Sequence, residues 1–408
     1  MSEKQKNVDL EFLRAAAILM ILVQHGGLMV FKPGEAYAFM QHYFNFWGGV
    51  DLFFCISGFI ITRGLIESHP ATDNRYVMAR EGGWRQTAFP FWMRRAWRLW
   101  PSAWLWIALP TGCAVLLNSS GIFGSPERML GGGAAALVHL ANLYWAGCYA
   151  GDGSACNFVT SPHVPTVIPT GWALAPYWSL SLEEQFYLLA PLLLFFLPKR
   201  RIALAIALAF LALVPLLRSP LGVAWFFRID ALLVGVSLGW ASTRQGGQWF
   251  ARAPAWLRHR WLACGVALAL LIAIGALGHA RFASTRGIVT LMALCSGGLV
   301  WLAGHDRNLL LPAGSLAGRV LLWIGARSYC LYLCHMTAIL LAIELGYRAD
   351  VLHSPHWWWI STLTAAALMA LFAEATARWV EMPLRRRGRL YAARWLAGQA
   401  PPQGSAPP

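Results

Sequence analysis

The sequence predicts an all-α polytopic membrane bundle, and three observations predict it. Of 408 residues, 58% are hydrophobic and only 12% charged, with a mean hydropathy of +0.50, outside the usual range of soluble domains. Apolar runs long enough to cross a hydrocarbon core of about 30 Å recur along the chain. The basic residues fall between those runs, so the net charge of +15 speaks for orientation in a membrane and not for nucleic acid. The 22 tryptophans suit a protein with many membrane–water interfaces.

About ten helices are expected, at 10–30, 46–66, 96–117, 177–197, 202–217, 229–243, 261–278, 287–304, 320–345 and 357–380. The first, LEFLRAAAILMILVQHGGLMV, is apolar yet carries Arg14 and His25. The second, VDLFFCISGFIITR, holds Asp51 and Ser57, with Gly58 permitting close approach to the first. The third follows FWMRRAWRLWPS, which alternates arginines with aromatics as an interfacial anchor or an anion-binding segment does. The fourth, YWSLSLEEQFYLLAPLLL, sets Ser179, Glu183 and Tyr187 on one face at i, i+4, i+8, and turns Glu184 elsewhere. The fifth and sixth are short. The ninth carries His335, and basic residues follow the last.

Orientation follows from Lys and Arg. Arg75, Arg80, Arg85, Arg94 and Arg95 precede the third helix, Lys199, Arg200 and Arg201 follow the fourth, Arg244, Arg252, Arg258 and Arg260 follow the sixth, and Arg385, Arg386, Arg387 and Arg389 follow the last. The loop at about 118–176 holds only Arg128 among its Lys and Arg positions. Both termini are therefore expected in the cytoplasm and that loop outside. Residues 1–390 read as one membrane-embedded domain and 391–408 as a Pro/Gly-rich disordered tail. No signal peptide is expected at the N-terminus, and the two halves show no repeat of the transporter kind. The eight cysteines are too scattered for a metal site, and none is expected. Cys148 and Cys156 share the long polar loop, where an oxidising compartment would favour a small disulfide.

Arg14 and His25 are the first functional candidates. Eleven residues apart on a helix, they lie within about 20° of one face and about 16.5 Å apart along the axis, and ionisable groups at such depth mark function by default. The remaining polar residues sort by side. Asp51, His25, Glu183 and Asp230 lie towards the outer surface and His335 near mid-membrane, while Arg14, Arg63, Arg98, Arg327 and Arg378 lie on the inner side, backed by Arg94 and Arg95. Carboxylates beside a histidine suit proton abstraction, with Asp51 or Glu183 orienting the imidazole of His25. Clustered guanidiniums at Arg14, Arg94, Arg95 and Arg98 suit phosphate oxygens. The pattern describes a phosphorylated donor inside and a hydroxylic acceptor outside, held by Ser179, Ser181, Asp230 and His335. The competing reading is a set of salt bridges that only hold helices together.

These stretches resemble the acyltransferase-3 family of integral membrane acyltransferases. Arg14 and His25 match its Arg and His separated by ten residues in the first helix, with Glu11 where many members have Asp. VDLFFCISGFIIT, RRAWRLWPS, WSLSLEEQFYLLAP, RIDALLVGVSLG, SYCLYLCHM and VEMPLRRR match further blocks in the family's order across about residues 8–390. The resemblance implies transfer of an acyl group, commonly acetyl, from cytoplasmic acyl-coenzyme A to an extracytoplasmic carbohydrate hydroxyl. It implies Arg14 at the donor and His25 as the essential histidine, in a bacterial inner membrane. Some members carry a fused SGNH hydrolase-like domain. The sequence shows none, so a second transfer step is expected to need another protein, such as one of polysaccharide biosynthesis or export. His25 either deprotonates the acceptor or receives the acyl group itself. The rival classes are a proton-coupled saccharide transporter and an acyltransferase acting on a non-carbohydrate small molecule.

Overall fold

The computed structural model describes residues 7–30, 42–67, 83–150, 161, 163, 172–196, 205, 208–209, 222–243, 253–282, 285, 287–305, 307–310 and 314–398, and among them the chain is helical without a strand. Seven described helices are long and apolar enough to cross a membrane: Phe46–Glu67, Trp84–Leu116, Trp172–Phe196, Val223–Ala241, Arg260–Leu277, Ser328–Arg348 and Trp357–Gly398. Ile288–Gly304 and Leu316–Ala326 are shorter apolar helices.

Helix α1 spans Val8–Val30. Asn7 opens it, its Oδ1 accepting from the Leu10 amide at 2.9 Å. A 3-10 turn, Phe46–Gly48, leads into α2, Gly49–Glu67. Helix α3, Gly83–Leu116, is 34 residues long, or about 51 Å, well beyond an apolar core of about 30 Å. The arginine–aromatic segment is thus the first half of that helix and not a separate anchor, which moves the expected start at 96 back by thirteen residues.

The expected outer loop contains two short helices, α4 at Pro126–Leu137 and α5 at Ala141–Ala150. Ser125 caps α4, with Pro126 in its first turn. Cys148, in α5, is disulfide-bonded, the other described cysteines are free thiols, and Cys156 lies outside the described residues.

The rest of the order is α6 (Tyr177–Phe196), α7 (Asp230–Ala241), α8 (Arg260–Leu277), α9 (Ile288–Gly304), α10 (Leu316–Ala326), α11 (Ser328–Arg348), α12 (Trp357–Thr376), a π turn at Ala377–Glu381, and α13 (Met382–Gly398). The expected fifth helix, 202–217, lies outside the described residues apart from single positions. The expected ninth helix is two, broken at Arg327 (φ −108°, ψ 9°). That arginine bonds Glu374 of α12 through two of its nitrogens, which fixes the break. Helix α13 runs to Gly398, so residues 391–398 are helical and not tail.

Close backbone approach sets the register of the core. A Cβ on Gly235 of α7 would lie 2.1 Å from the Cys55 carbonyl oxygen of α2, and one on Gly58 would lie 2.3 Å from that of Leu232. Only glycine allows two helices to run this close, the mode by which membrane helices pack without a hydrophobic drive. Gly58 therefore faces α7, not α1 as expected. The α1 contact is made one end earlier, where a Cβ on Gly49 would lie 2.6 Å from the Ala17 oxygen. Periodicity assigns a residue to a face but does not say which neighbour that face meets.

The ends of the long helices are tied down by carboxylates. Asp9 accepts from the amides of Leu309 and Leu310, both at 2.9 Å. Glu344 of α11 accepts from the amides of Ser119 and Ser120 at 2.8 and 3.0 Å and from the Ser120 hydroxyl at 2.5 Å. Helix α13 folds back along α3, where Gly388 lies on Trp97 and the rings of Trp97 and Tyr391 stack at 5.3 Å.

Candidate active site

A cavity of about 490 Å³ runs beside α2, lined from Val50 to Glu67 and bounded by α1, α3, α6, α10, α11, the π turn and α13. Five arginines line it: Arg14, Arg63, Arg95, Arg98 and Arg385. Three of them belong to the expected donor set. Arg94, the fourth residue of that set, is exposed and does not line the cavity. Around the helix Arg98 lies between the other two, about 60° from Arg95 and about 40° from Arg94, so the cavity meets one edge of this arginine face and leaves Arg94 at the other. Arg63 and Arg385 join them from α2 and α13. The sequence sets Arg63 among the inner-side guanidiniums and uses Arg385 for orientation, with neither in the expected donor set.

The cations are placed by local partners. Arg14 pairs with Glu11 at 2.7 Å and Arg63 with Glu67 at 2.7 Å, while Arg98 lies 3.7 Å from Glu381 of the π turn. Arg95 sits over the rings of Tyr187 and Phe91 at 4.7 and 5.7 Å. Partly exposed pairs of this kind are weak, so they orient the guanidiniums at little cost to a ligand that replaces them. A planar fork prefers a bidentate anion such as phosphate. Further along the wall, Glu183 accepts from the hydroxyls of Ser57 and Tyr187.

Ser179 ends the polar wall. Its Oγ lies 2.5 Å from the Tyr332 hydroxyl, and both reach the Pro176 carbonyl. One turn on, the His335 ring packs against Tyr332 with centroids 5.6 Å apart. His335 Nδ1 lies 2.7 Å from the Tyr332 carbonyl oxygen, and its Nε2 lies 2.9 Å from His25 Nδ1. A carbonyl only accepts, so His335 carries its proton on Nδ1 and offers a lone pair at Nε2. The neutral His25 then donates from Nδ1 and keeps the lone pair of Nε2 free. The two rings stack at 5.0 Å, 15° from parallel.

The expected carboxylate partner of His25 is thus replaced by a second imidazole. Asp51 faces Arg228 instead, with Oδ2 3.5 Å from Nη1, and Glu183 is taken up by Ser57 and Tyr187. Depth along the chain ranks residues by level but leaves their direction around the bundle open. His335, expected to hold the acceptor, lies against His25. Ser181 accepts from the amide of Ala141 at 3.1 Å, which makes it a cap on α5. Asp230 accepts from the Thr290 hydroxyl at 2.8 Å. The residue missed altogether is Arg228. Its signal was its place two positions before Asp230, at the mouth of an apolar helix.

A family model described as an acyltransferase domain matches residues 7–374. O-acetyltransferase OatA of Staphylococcus aureus (strain NCTC 8325 / PS 47) is 25% identical over 410 residues, covering 93% of this chain and 57% of that protein. A Bacillus subtilis (strain 168) protein, YrhL, provisionally named a peptidoglycan O-acetyltransferase, is 25% identical over 397 residues, covering 93% of this chain and 55% of the relative. The chain therefore spans a little over half the length of these relatives. No solved structure matches.

Proposed function

The chain belongs to the acyltransferase-3 family, and from that premise we propose that it is a multi-pass membrane O-acyltransferase acting on a carbohydrate hydroxyl. The donor is acyl-coenzyme A, with acetyl as the group moved. The membrane is the bacterial inner membrane, with both termini in the cytoplasm. The reading takes its support from one observation above all: a histidine with a free Nε2, oriented by a second histidine, stands one tyrosine away from a cavity walled by five arginines.

In this scheme Arg14, Arg95, Arg98, Arg63 and Arg385 receive the phosphates of the donor, exchanging weak internal pairs for bidentate ones. The cavity leads from them along α2 towards Ser179 and Tyr332. His25 takes the proton of the acceptor hydroxyl at Nε2 as that oxygen attacks the acyl carbonyl. His335 accepts from His25 Nδ1–H and so holds the ring in the productive tautomer. The C–O bond forms, the C–S bond breaks, and His25 returns its proton to the leaving thiolate. The histidine pair lies on the outer side of the basic cluster in the expected topology, which is where an extracytoplasmic hydroxyl arrives.

The test is coenzyme A release by the purified protein in lipid bilayers, wild type against His25→Ala, with acetyl-coenzyme A and candidate saccharide acceptors. Release that needs both His25 and a saccharide supports the proposal. Undiminished release from His25→Ala protein would sink it. A transporter, by contrast, would leave its substrate unacylated.

A further inference from the structure

The ion pair that displaced Asp51 from the catalytic centre is built unlike a structural salt bridge. Arg228 is 1% exposed and sits over three indole rings, at 3.8 Å from Trp225, 4.6 Å from Trp47 and 5.1 Å from Trp178. Its Nε, Nη1 and Nη2 all lack a hydrogen-bond partner, as do both carboxylate oxygens of Asp51 and Oδ2 of Asp230. The one approach between Arg228 and Asp51, 3.5 Å, is longer than a charge-assisted hydrogen bond of about 2.7–2.9 Å. Buried polar groups nearly always close their hydrogen bonds. An ion pair that only stapled helices would have to close them to offset desolvation.

We propose that Asp51, Arg228 and Asp230 form the recognition site for the acceptor, and that it takes the vicinal hydroxyls of an uncharged sugar. This deepens the transferase reading and rests on it. Each hydroxyl both donates and accepts, so one diol can donate to the free oxygens of Asp51 and Asp230 while accepting from the N–H groups of Arg228. An anionic sugar would meet two carboxylates against one guanidinium. Asp51 lies in the first turn of α2 and Asp230 begins α7. The glycine-packed crossing of those helices holds their N-terminal ends side by side, where carboxylates are favoured. The site also adjoins the reaction centre. Trp178, over whose ring Arg228 lies, precedes Ser179, which bonds Tyr332 beside His335.

The experiment is calorimetric titration of the full chain in lipid nanodiscs with chitotetraose, cellotetraose and maltotetraose, and with tetragalacturonate as the charged counterpart. The variants are Asp230→Asn and the double substitution Asp51→Asn with Arg228→Gln, which removes both charges together and leaves neither unpaired. Melting temperature and monodispersity report folding of each. The expected result is that a neutral saccharide binds wild type at least about tenfold more tightly than the uronate, and that each variant loses about tenfold in that affinity, roughly one charge-assisted hydrogen bond. The proposal is overturned if no neutral saccharide binds, if the uronate binds more tightly, or if the folded double variant binds as wild type does. Coenzyme A release separates the two readings. Saccharide binding without any acyl-coenzyme A turnover defeats the transferase and leaves this site standing, whereas turnover whose saccharide KM is unmoved in the double variant defeats the site and leaves the transferase.

Discussion

His25 Nδ1 and His335 Nε2 lie 2.9 Å apart, on helices separated by 310 positions in sequence. The Tyr332 carbonyl, 2.7 Å from His335 Nδ1, fixes the direction of the proton along the pair. The arrangement places His335 where hydrolase-like sites hold a carboxylate. A neutral partner orients the ring but adds no negative charge to stabilise an imidazolium.

His335→Ala is therefore expected to lower kcat by about 100-fold, within the range of general-base assistance, while leaving KM for the acyl donor little changed. His335→Gln, whose amide oxygen can accept from His25 Nδ1, should recover part of that loss. Coenzyme A release at saturating donor checks both. Equal losses in the two variants would show that His335 serves packing and not proton direction.

Which parts of this site were legible in the sequence depends on how local they are. Arg14 and His25 are on one helix, and their shared face follows from spacing alone. The helices themselves were readable because a span of apolar residues states its own length. The partner of His25 was not readable, because which side of α11 meets α1 is decided by packing between distant helices. Arg63 and Arg385 were visible as charge but not as cavity lining. The break at Arg327 was hidden inside one continuous apolar stretch, since the ion pair with Glu374 that fixes it is a tertiary contact. Arg94 shows the converse, a residue whose neighbours are in the site while it is turned away from it.

The arginine assignments separate cleanly. Arg95→Ala and Arg98→Ala should each weaken binding of coenzyme A by about 10- to 100-fold, the loss of a charge-assisted contact of about 1.5–3 kcal/mol. Arg94→Ala should stay close to wild type, because its guanidinium is exposed outside the cavity. Equilibrium binding of labelled coenzyme A in bilayers at fixed ionic strength measures all three. A loss in Arg94→Ala as large as in Arg95→Ala would place the phosphates elsewhere.

Helix α2 positions both Asp51 and the cavity wall, and its register depends on the approach to α7. A Cβ at Gly235 would stand 2.1 Å from the Cys55 carbonyl oxygen, and a backbone cannot yield as a side-chain tip can. Gly235→Ala should cost about 1–3 kcal/mol through forced separation of the two helices and lower the melting temperature in detergent. Gly265→Ala, where a Cβ meets nothing within 4 Å, is the matched control and should be neutral or slightly stabilising.

Glu344 makes the last prediction, because its role is structural although its chemistry looks catalytic. It is fully buried on α11, yet its hydrogen bonds run to the turn that ends α3, through the amides of Ser119 and Ser120 and the Ser120 hydroxyl, and to Arg348 of its own helix at 2.7 Å. Removing the carboxylate in Glu344→Ala strands two backbone amides and a buried hydroxyl at about 1–3 kcal/mol for each unsatisfied group. The loss of the Arg348 pairing adds little, since that side chain is 40% exposed. Glu344→Gln keeps one acceptor oxygen, so it should fall between wild type and Ala in melting temperature. Limited proteolysis should cut Glu344→Ala within residues 117–125 sooner than wild type. Protein that stays folded should keep the Kd for coenzyme A, since Glu344 does not line the arginine cavity. A folded Glu344→Gln protein with unchanged melting temperature but no turnover would instead assign this carboxylate to the chemistry.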